Sequence, residues 1–214
     1  MGRVLCAIER VPRKELYESW EVARRARRRF RGGRVVDLAC GHGLIAHLAL
    51  ILDDSSPCAV AADPRLPPSA HAIAEALATA WPRLAGRVSL ESRRIEDVAI
   101  GPDDVVLSAH ACGGLTDQVL DRAIGAHARV AVLPCCHDAS STAQRNDTGG
   151  LEGWLDAPLA IDVTRAARLR AHGYTVRTQT IPESITPKNR LLIGEIAQIR
   201  IVGAQVETPA PTIR

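Results

Sequence analysis

Residues 34–50, RVVDLACGHGLIAHLAL, decide how the chain is read. A β-branched pair, Val35-Val36, leads past a carboxylate at Asp37 into Ala39-Cys40-Gly41-His42-Gly43, after which Leu44, Ile45 and Leu48 recur at helical spacing. The pattern predicts a strand, a glycine turn and a helix. Glycines at 41 and 43 let the backbone come close to a ligand lying across the helix N-terminus, where unpaired N–H groups point outward. The turn therefore reads as a ligand cradle.

Charge narrows the ligand. Gly41-x-Gly43-x-x-Ala46 also fits a loose dinucleotide fingerprint. A pyrophosphate in this turn would sit close to the Asp37 carboxylate, and two anions in a partly desolvated turn repel. S-adenosylmethionine has no phosphate but carries an ammonium and a sulfonium, so the same carboxylate attracts it. Asp63 lies 20 residues past Gly43, at the end of the apolar run 58–62, and is placed to accept the ribose hydroxyls. After the next strand, Glu96 and Asp97 are candidates to meet the adenine amino group. Asp37-Leu-Ala-Cys-Gly41-His-Gly43 with Asp63 resembles the motif of class I S-adenosylmethionine-dependent methyltransferases, with Ala39 standing where that class usually has its first glycine. The resemblance implies that Asp37, Ala39, Cys40, Gly41, Gly43, Asp63, Glu96, Asp97 and His110 surround the methyl donor.

Composition agrees with a globular enzyme. The 214 residues suit one domain with a full core, and 46% hydrophobic with 24% charged residues excludes a disordered chain. No apolar run approaches the ~18 residues that span a membrane, and the N-terminal residues are too densely charged for a signal peptide. A cytoplasmic protein is expected, with its six cysteines reduced. Net charge is +3, but residues 1–34 alone carry 11 Lys+Arg against 4 Asp+Glu. That asymmetry points to a polyanionic partner. Within it a helix is expected over 15–30, with Leu16, Trp20, Ala23 and Phe30 on one face and an arginine stripe elsewhere. Either the stripe is a solvated face suited to the helix dipole, or Arg24, Arg25 and Arg28 contact phosphates.

Further along, strand and helix keep alternating. Strands are expected at 88–93, 103–108 and 128–133, helices at 70–85 and from Thr116, which reads as an N-cap followed by the first-turn acid Asp117. A loop over 138–153, a helix over 161–172, strands over 174–181 and 190–201 and a frayed tail complete the chain. The expectation is a doubly wound, Rossmann-like α/β sheet of seven strands, mostly parallel with an antiparallel last strand, and ligands beyond the carboxyl ends of its strands. The expected division is a basic helical extension over 1–34, a donor-binding domain over 35–203 and a tail over 204–214.

Two clusters end neighbouring strands: His110-x-Cys112-Gly113 and Pro134-Cys135-Cys136-His137. They should face each other across the donor pocket. Together with the late T-P-K-N-R run (186–190), which offers Lys188, Asn189 and Arg190 to a substrate, they resemble one branch of the same class. That branch contains the tRNA 2′-O-methyltransferase of the acceptor stem and related methyltransferase-like proteins, and the resemblance implies RNA, tRNA above all, as the methyl acceptor. A protein or small-molecule acceptor, or a catalytically silent RNA-binding module, are the alternatives.

Three mechanisms compete at the clusters. His137 or His110 can take a proton from the acceptor while it attacks the methyl group; His137 is placed first, because Pro134 fixes the chain before it and Asp138 can steady its charged form. Cys135 can instead attack a pyrimidine ring as thiolate. Thirdly, Cys112 with Cys135 or Cys136 and a histidine can bind zinc, although adjacent cysteines depart from the usual ligand spacing, and no metal is expected.

Overall fold

The computed structural model describes residues 11–135 and 148–197. In chain order the elements are α1 (Arg13–Arg29), β1 (Val35–Leu38), α2 (Leu44–Leu52), β2 (Ala59–Ala62), α3 (Ser69–Ala80), β3 (Val88–Glu91), β4 (Val105–Ser108), α4 (Leu115–Ala126), β5 (Arg129–Val132), α5 (Ala157–Ala171), β6 (Tyr174–Thr180) and β7 (Arg190–Ile196). The strands make one seven-stranded sheet in the order β3-β2-β1-β4-β5-β7-β6. Every pairing from β3 to β5 is parallel, whereas β7 runs against both β5 and β6. This is the doubly wound sheet expected.

The central strands are short and apolar on both faces because helices cover both. Val35, Leu107 and Ala131 join the cluster beneath α1, α2 and α3, and Val36, Val106 and Val130 join the one beneath α4 and α5. α1 buries Val22, Ala23, Ala26 and Phe30. Burying Val22 and Phe30 contributes roughly 3–6 kcal/mol relative to leaving both in water. The same helix buries Arg27, which pairs with Asp53 at the end of α2. Burial works against the Asp53 charge, but hydrogen bonds from Ser55 and Arg27 outweigh it and hold the carboxyl well below the usual range.

Several boundaries differ from those expected, each for a local reason. α3 ends at Ala80 because Pro82 starts a short 3-10 turn, so the helix does not reach residue 85. α5 begins at Ala157, earlier than 161, because the Asp156 side chain accepts a hydrogen bond from the Leu159 N–H at 2.8 Å and Pro158 suits the first turn. Thr116 is not the N-cap of α4. The helix starts at Leu115, and the Thr116 hydroxyl, fully buried, donates to the Ala111 carbonyl at 2.6 Å. β7 ends at Ile196; the end of the expected last strand and the tail lie outside the described residues.

Candidate functional site

The glycine turn occupies the carboxyl end of β1, with Ala39, Gly41 and Gly43 all at positive φ (52°, 53° and 71°). The two glycines do different work. A Cβ on Gly43 would come within 2.9 Å of the Leu90 side chain and 3.2 Å of Ala61, so this glycine lets α2 pack close to the sheet. A Cβ on Gly41 would meet only Glu15 Oε1, at 3.6 Å, an ordinary contact, so this glycine is kept for its backbone conformation and not for close packing. Ala39 carries the φ that a glycine would adopt without steric cost.

Backbone and carboxylate bonds hold the turn in place. The Cys40 N–H donates to the Ala62 carbonyl and the Gly43 N–H to the Cys40 carbonyl. Asp63 Oδ2 accepts from the Gly41 N–H at 3.2 Å while its Oδ1 accepts from the Arg65 N–H at 2.9 Å. His47 Nδ1 donates to the Gly43 carbonyl at 2.7 Å, and burial pulls its pKa down, so the ring is a neutral brace. Cys40 is buried, and burial pushes its thiol far above the usual range, which makes it inert. Its backbone shapes the turn while its side chain packs in the core.

Asp37 is fully buried beneath the turn. Its Oδ2 accepts from the Ala46 N–H at 3.2 Å, and its Oδ1 has no hydrogen-bond partner. Burial raises its pKa well above the usual carboxylate range, and the neighbouring Asp63 and Glu15 charges push the same way. Such a group welcomes a cation and repels a phosphate. Glu96 and Asp97 are exposed in a 3-10 turn after β3 that packs against α4, with Ile95 buried in the cluster beneath that helix.

Two residues near the turn carry no sequence motif. Glu15, in the first turn of α1, places Oε1 2.8 Å from His42 Nδ1, and His42 Nε2 lies 3.1 Å from Ser69 Oγ at the start of α3. Since a carboxylate only accepts, His42 Nδ1 carries the proton. The contact joins α1, the glycine turn and α3.

At the ends of β4 and β5 the two clusters do converge, with Cys112 Sγ 3.0 Å from Cys135 Sγ. His110 Nε2 is shielded from solvent and has no hydrogen-bond partner. Cys136, His137 and Asp138 lie outside the described residues. Among the described residues no group of three His, Cys, Asp or Glu side chains could hold a metal.

Arg165 supports this edge and was not anticipated. Among the described residues it is the largest fully buried side chain, and it forks onto Asp117, with Nη2 at 2.7 Å and Nε at 3.1 Å, while Nη2 also donates to the Gly113 carbonyl at 3.2 Å. One guanidinium thus ties α5 to α4 and to the turn bearing His110 and Cys112. Of the expected substrate contacts, Lys188 is exposed, the Asn189 amide closes its own loop onto the Ile181 carbonyl, and Arg190 pairs with Asp162 at 2.7 Å.

The arginine stripe of α1 divides in two. Arg24 and Arg25 both pair with Glu21, and Arg25 Nη1 also donates to Gln179 at 2.8 Å. Arg28 is exposed. On the opposite wall Arg177, exposed on the edge strand β6, joins Arg25, Arg28, Arg29 and Gln179 around a hollow of about 290 Å³.

Comparisons with known proteins follow the same outline. A family model described as a methyltransferase domain, Methyltransf_32, matches residues 14–143, which include both α1 and the glycine turn. Among solved structures, the tRNA methyltransferase TrmK of B. subtilis has a TM-score of 0.54 at 14% identity over 83% of this chain and 66% of its own. An O-methyltransferase family protein from Burkholderia thailandensis has a TM-score of 0.50 at 19% identity over 80% and 52%. TrmK of M. capricolum, in complex with S-adenosyl-homocysteine, has a TM-score of 0.50 at 12% identity over 80% and 66%. The chain spans between half and two thirds of these three proteins. No curated protein matches it.

Proposed function

The chain belongs to the Methyltransf_32 family of methyltransferase domains, and from that premise we propose that it methylates RNA, with S-adenosylmethionine as donor. The donor fits the site: only the Glu15 carboxylate stands near Gly41, and the buried Asp37 Oδ1 offers an unpartnered acceptor to a cationic ligand. Bound there, the donor supplies an electrophilic methyl group on sulfur. The chain's own residues do the rest. Gly41 and Asp63 hold the donor, and Ala46 N–H keeps Asp37 aimed at the turn. His110, at the end of β4, takes the proton that the acceptor nitrogen or oxygen gives up as it bonds to the methyl carbon.

The observation that carries the RNA reading is the hollow lined by Arg25, Arg28, Arg29 and Arg177. Guanidinium groups are forked donors matched to phosphate, and phosphate contacts supply most of the affinity for a nucleic acid. Glu21 and Glu195 pair with Arg25 and Arg29 and orient them, while among the described residues no carboxylate lines the hollow itself. Trp154 supports the same reading. It is 88% exposed, in the hydrogen-bonded turn that leads into α5. Arg165 of that helix donates to the Gly113 carbonyl, so α5 stands beside the turn that bears His110. An aromatic face there suits stacking of an unpaired base.

The test is the salt dependence of RNA binding. Affinity of the chain for total tRNA should fall steeply with salt, and the Arg28→Ala/Arg177→Ala variant should flatten the logarithmic slope by about 1.4–1.8 for two lost phosphate contacts. A salt-independent interaction, or none, would move the acceptor to a protein or a small molecule.

A further inference from the structure

The buried and half-buried carboxylates of this molecule follow a rule with one exception. Asp53 pairs with Arg27, Asp104 with Arg34, Asp117 with Arg165 and Glu21 with Arg24 and Arg25. Glu15, Asp37 and Asp63 converge on the glycine turn, and among the described residues no arginine or lysine meets any of them. Their side-chain neighbours are the His42 ring and backbone N–H groups. Three acids without a guanidinium, one of them fully buried with an unpartnered oxygen, leave the turn short of positive charge. A cationic ligand restores the balance.

Glu15 is the member with the freedom to reach such a ligand directly. An acid in the first turn of a helix ordinarily points to solvent and serves the helix dipole. This one is turned inward, its side chain only 15% exposed, with Oε1 held by His42 and standing 3.6 Å from where a Cβ on Gly41 would lie. Asp63 already accepts two backbone N–H groups, and Asp37 lies beneath the turn. Of the donor's two cationic groups, the sulfonium has no N–H to give. A carboxylate oriented by a hydrogen bond therefore suits the ammonium.

We propose that Glu15, on the N-terminal helix, binds the α-ammonium of the donor's amino-acid moiety above Gly41, with His42 and Ser69 fixing its carboxylate. This rests on the donor assignment made above. The N-terminal helix then serves both ends of the reaction, with Glu15 at the donor and Arg25 and Arg28 beside the hollow about 15–20 Å along its axis.

Calorimetric titration with two nucleosides tests the proposal. S-adenosylhomocysteine keeps the ammonium, and 5′-methylthioadenosine lacks the whole amino-acid moiety. Glu15→Gln should weaken S-adenosylhomocysteine roughly tenfold or more and leave methylthioadenosine unchanged. Glu15→Asp, which keeps the charge on a shorter arm, should fall between. Glu18→Gln, one turn further along the same helix, should alter neither. Equal affinity of wild type and Glu15→Gln for S-adenosylhomocysteine overturns the role of Glu15 while leaving the donor assignment standing. Equal losses for both nucleosides also overturn it, reducing Glu15 to a brace of the turn. If the wild-type chain binds neither nucleoside, donor assignment and proposal fall together.

Discussion

At the glycine turn, the side chains reach shorter distances along the chain: Asp37 spans nine residues to Ala46, Asp63 spans 22 back to Gly41 and Glu15 spans 27 to His42. At the turn after β4, the supporting side chain comes from far away, since Arg165 reaches across 48 residues to Asp117 and 52 to Gly113. The first site is closed by backbone N–H groups and two adjacent parallel strands, with Glu15 of α1 and Ser69 of α3 bracing His42 from either side within 27 residues. The second depends on α5 docking correctly. The donor side should therefore tolerate loss of acceptor-side contacts better than the reverse, which gives the experiments below their order.

The largest effect is expected at the chemistry. Replacing His110 and His137 together by alanine should lower turnover by about 10²–10⁴ while S-adenosylhomocysteine still binds, as measured by single-turnover kinetics alongside calorimetry. An active double variant would leave positioning of an already nucleophilic acceptor as the account. A variant inactive only when Cys135 is replaced by serine would favour cysteine attack.

Next comes Arg165→Met. Removing one partner of a buried pair strands the other, so urea unfolding should show a loss of about 3 kcal/mol, at the low end of the usual range because Arg168 remains beside Asp117. The comparison is sharpened by asking what survives. If the two regions are as separate as the contacts suggest, donor affinity under native conditions stays within a factor of a few while turnover drops. A parallel loss of both would make them one cooperative unit.

Asp63→Ala acts on the other region. Losing hydrogen bonds from a charged acceptor costs about 1.5–3 kcal/mol, so donor affinity should fall roughly tenfold or more in the same titration. Unchanged affinity would put the ribose elsewhere on the rim.

The smallest effect concerns Ala39. Its left-handed conformation costs an L residue about 1–2 kcal/mol, and glycine gives part of that back through its larger unfolded-state entropy. Ala39→Gly should therefore stabilise the chain by up to about 1 kcal/mol in urea unfolding. A destabilisation would mean that the packing of the Ala39 methyl, which is buried in the cluster beneath α4 and α5, outweighs the strain.

How much of this was legible in the chain differs between the two regions. The strand–turn–helix around Gly41, Asp63 at the end of the second strand and the convergence of the His110 and Cys135 segments follow from apolar periodicity and glycine placement, which are local signals. The distinct tasks of Gly41 and Gly43 were not visible, because the Leu90 side chain that crowds Gly43 belongs to another strand. Nor was the split in the arginine stripe. Six arginines alike in sequence context, from Arg24 to Arg31, end in pairs with the buried Asp53, in pairs with Glu21 and Glu195, or at an exposed hollow.

By itself, then, the sequence determined the alternation of strands and helices and the glycine turn, with its buried carboxylate, at the end of the first strand. These depend on hydrophobic period, on glycine and on the sign of one carboxylate, all readable within a window of some twenty residues. Tertiary structure decided which charges are neutralised within the protein and which are left for a partner. Arg165 and Arg27 are consumed by Asp117 and Asp53, whereas among the described residues no guanidinium meets Glu15 or Asp37, and Arg28 and Arg177 share a hollow. Charge pairing is settled by distances across separate elements, and burial makes a charge left without its partner costly.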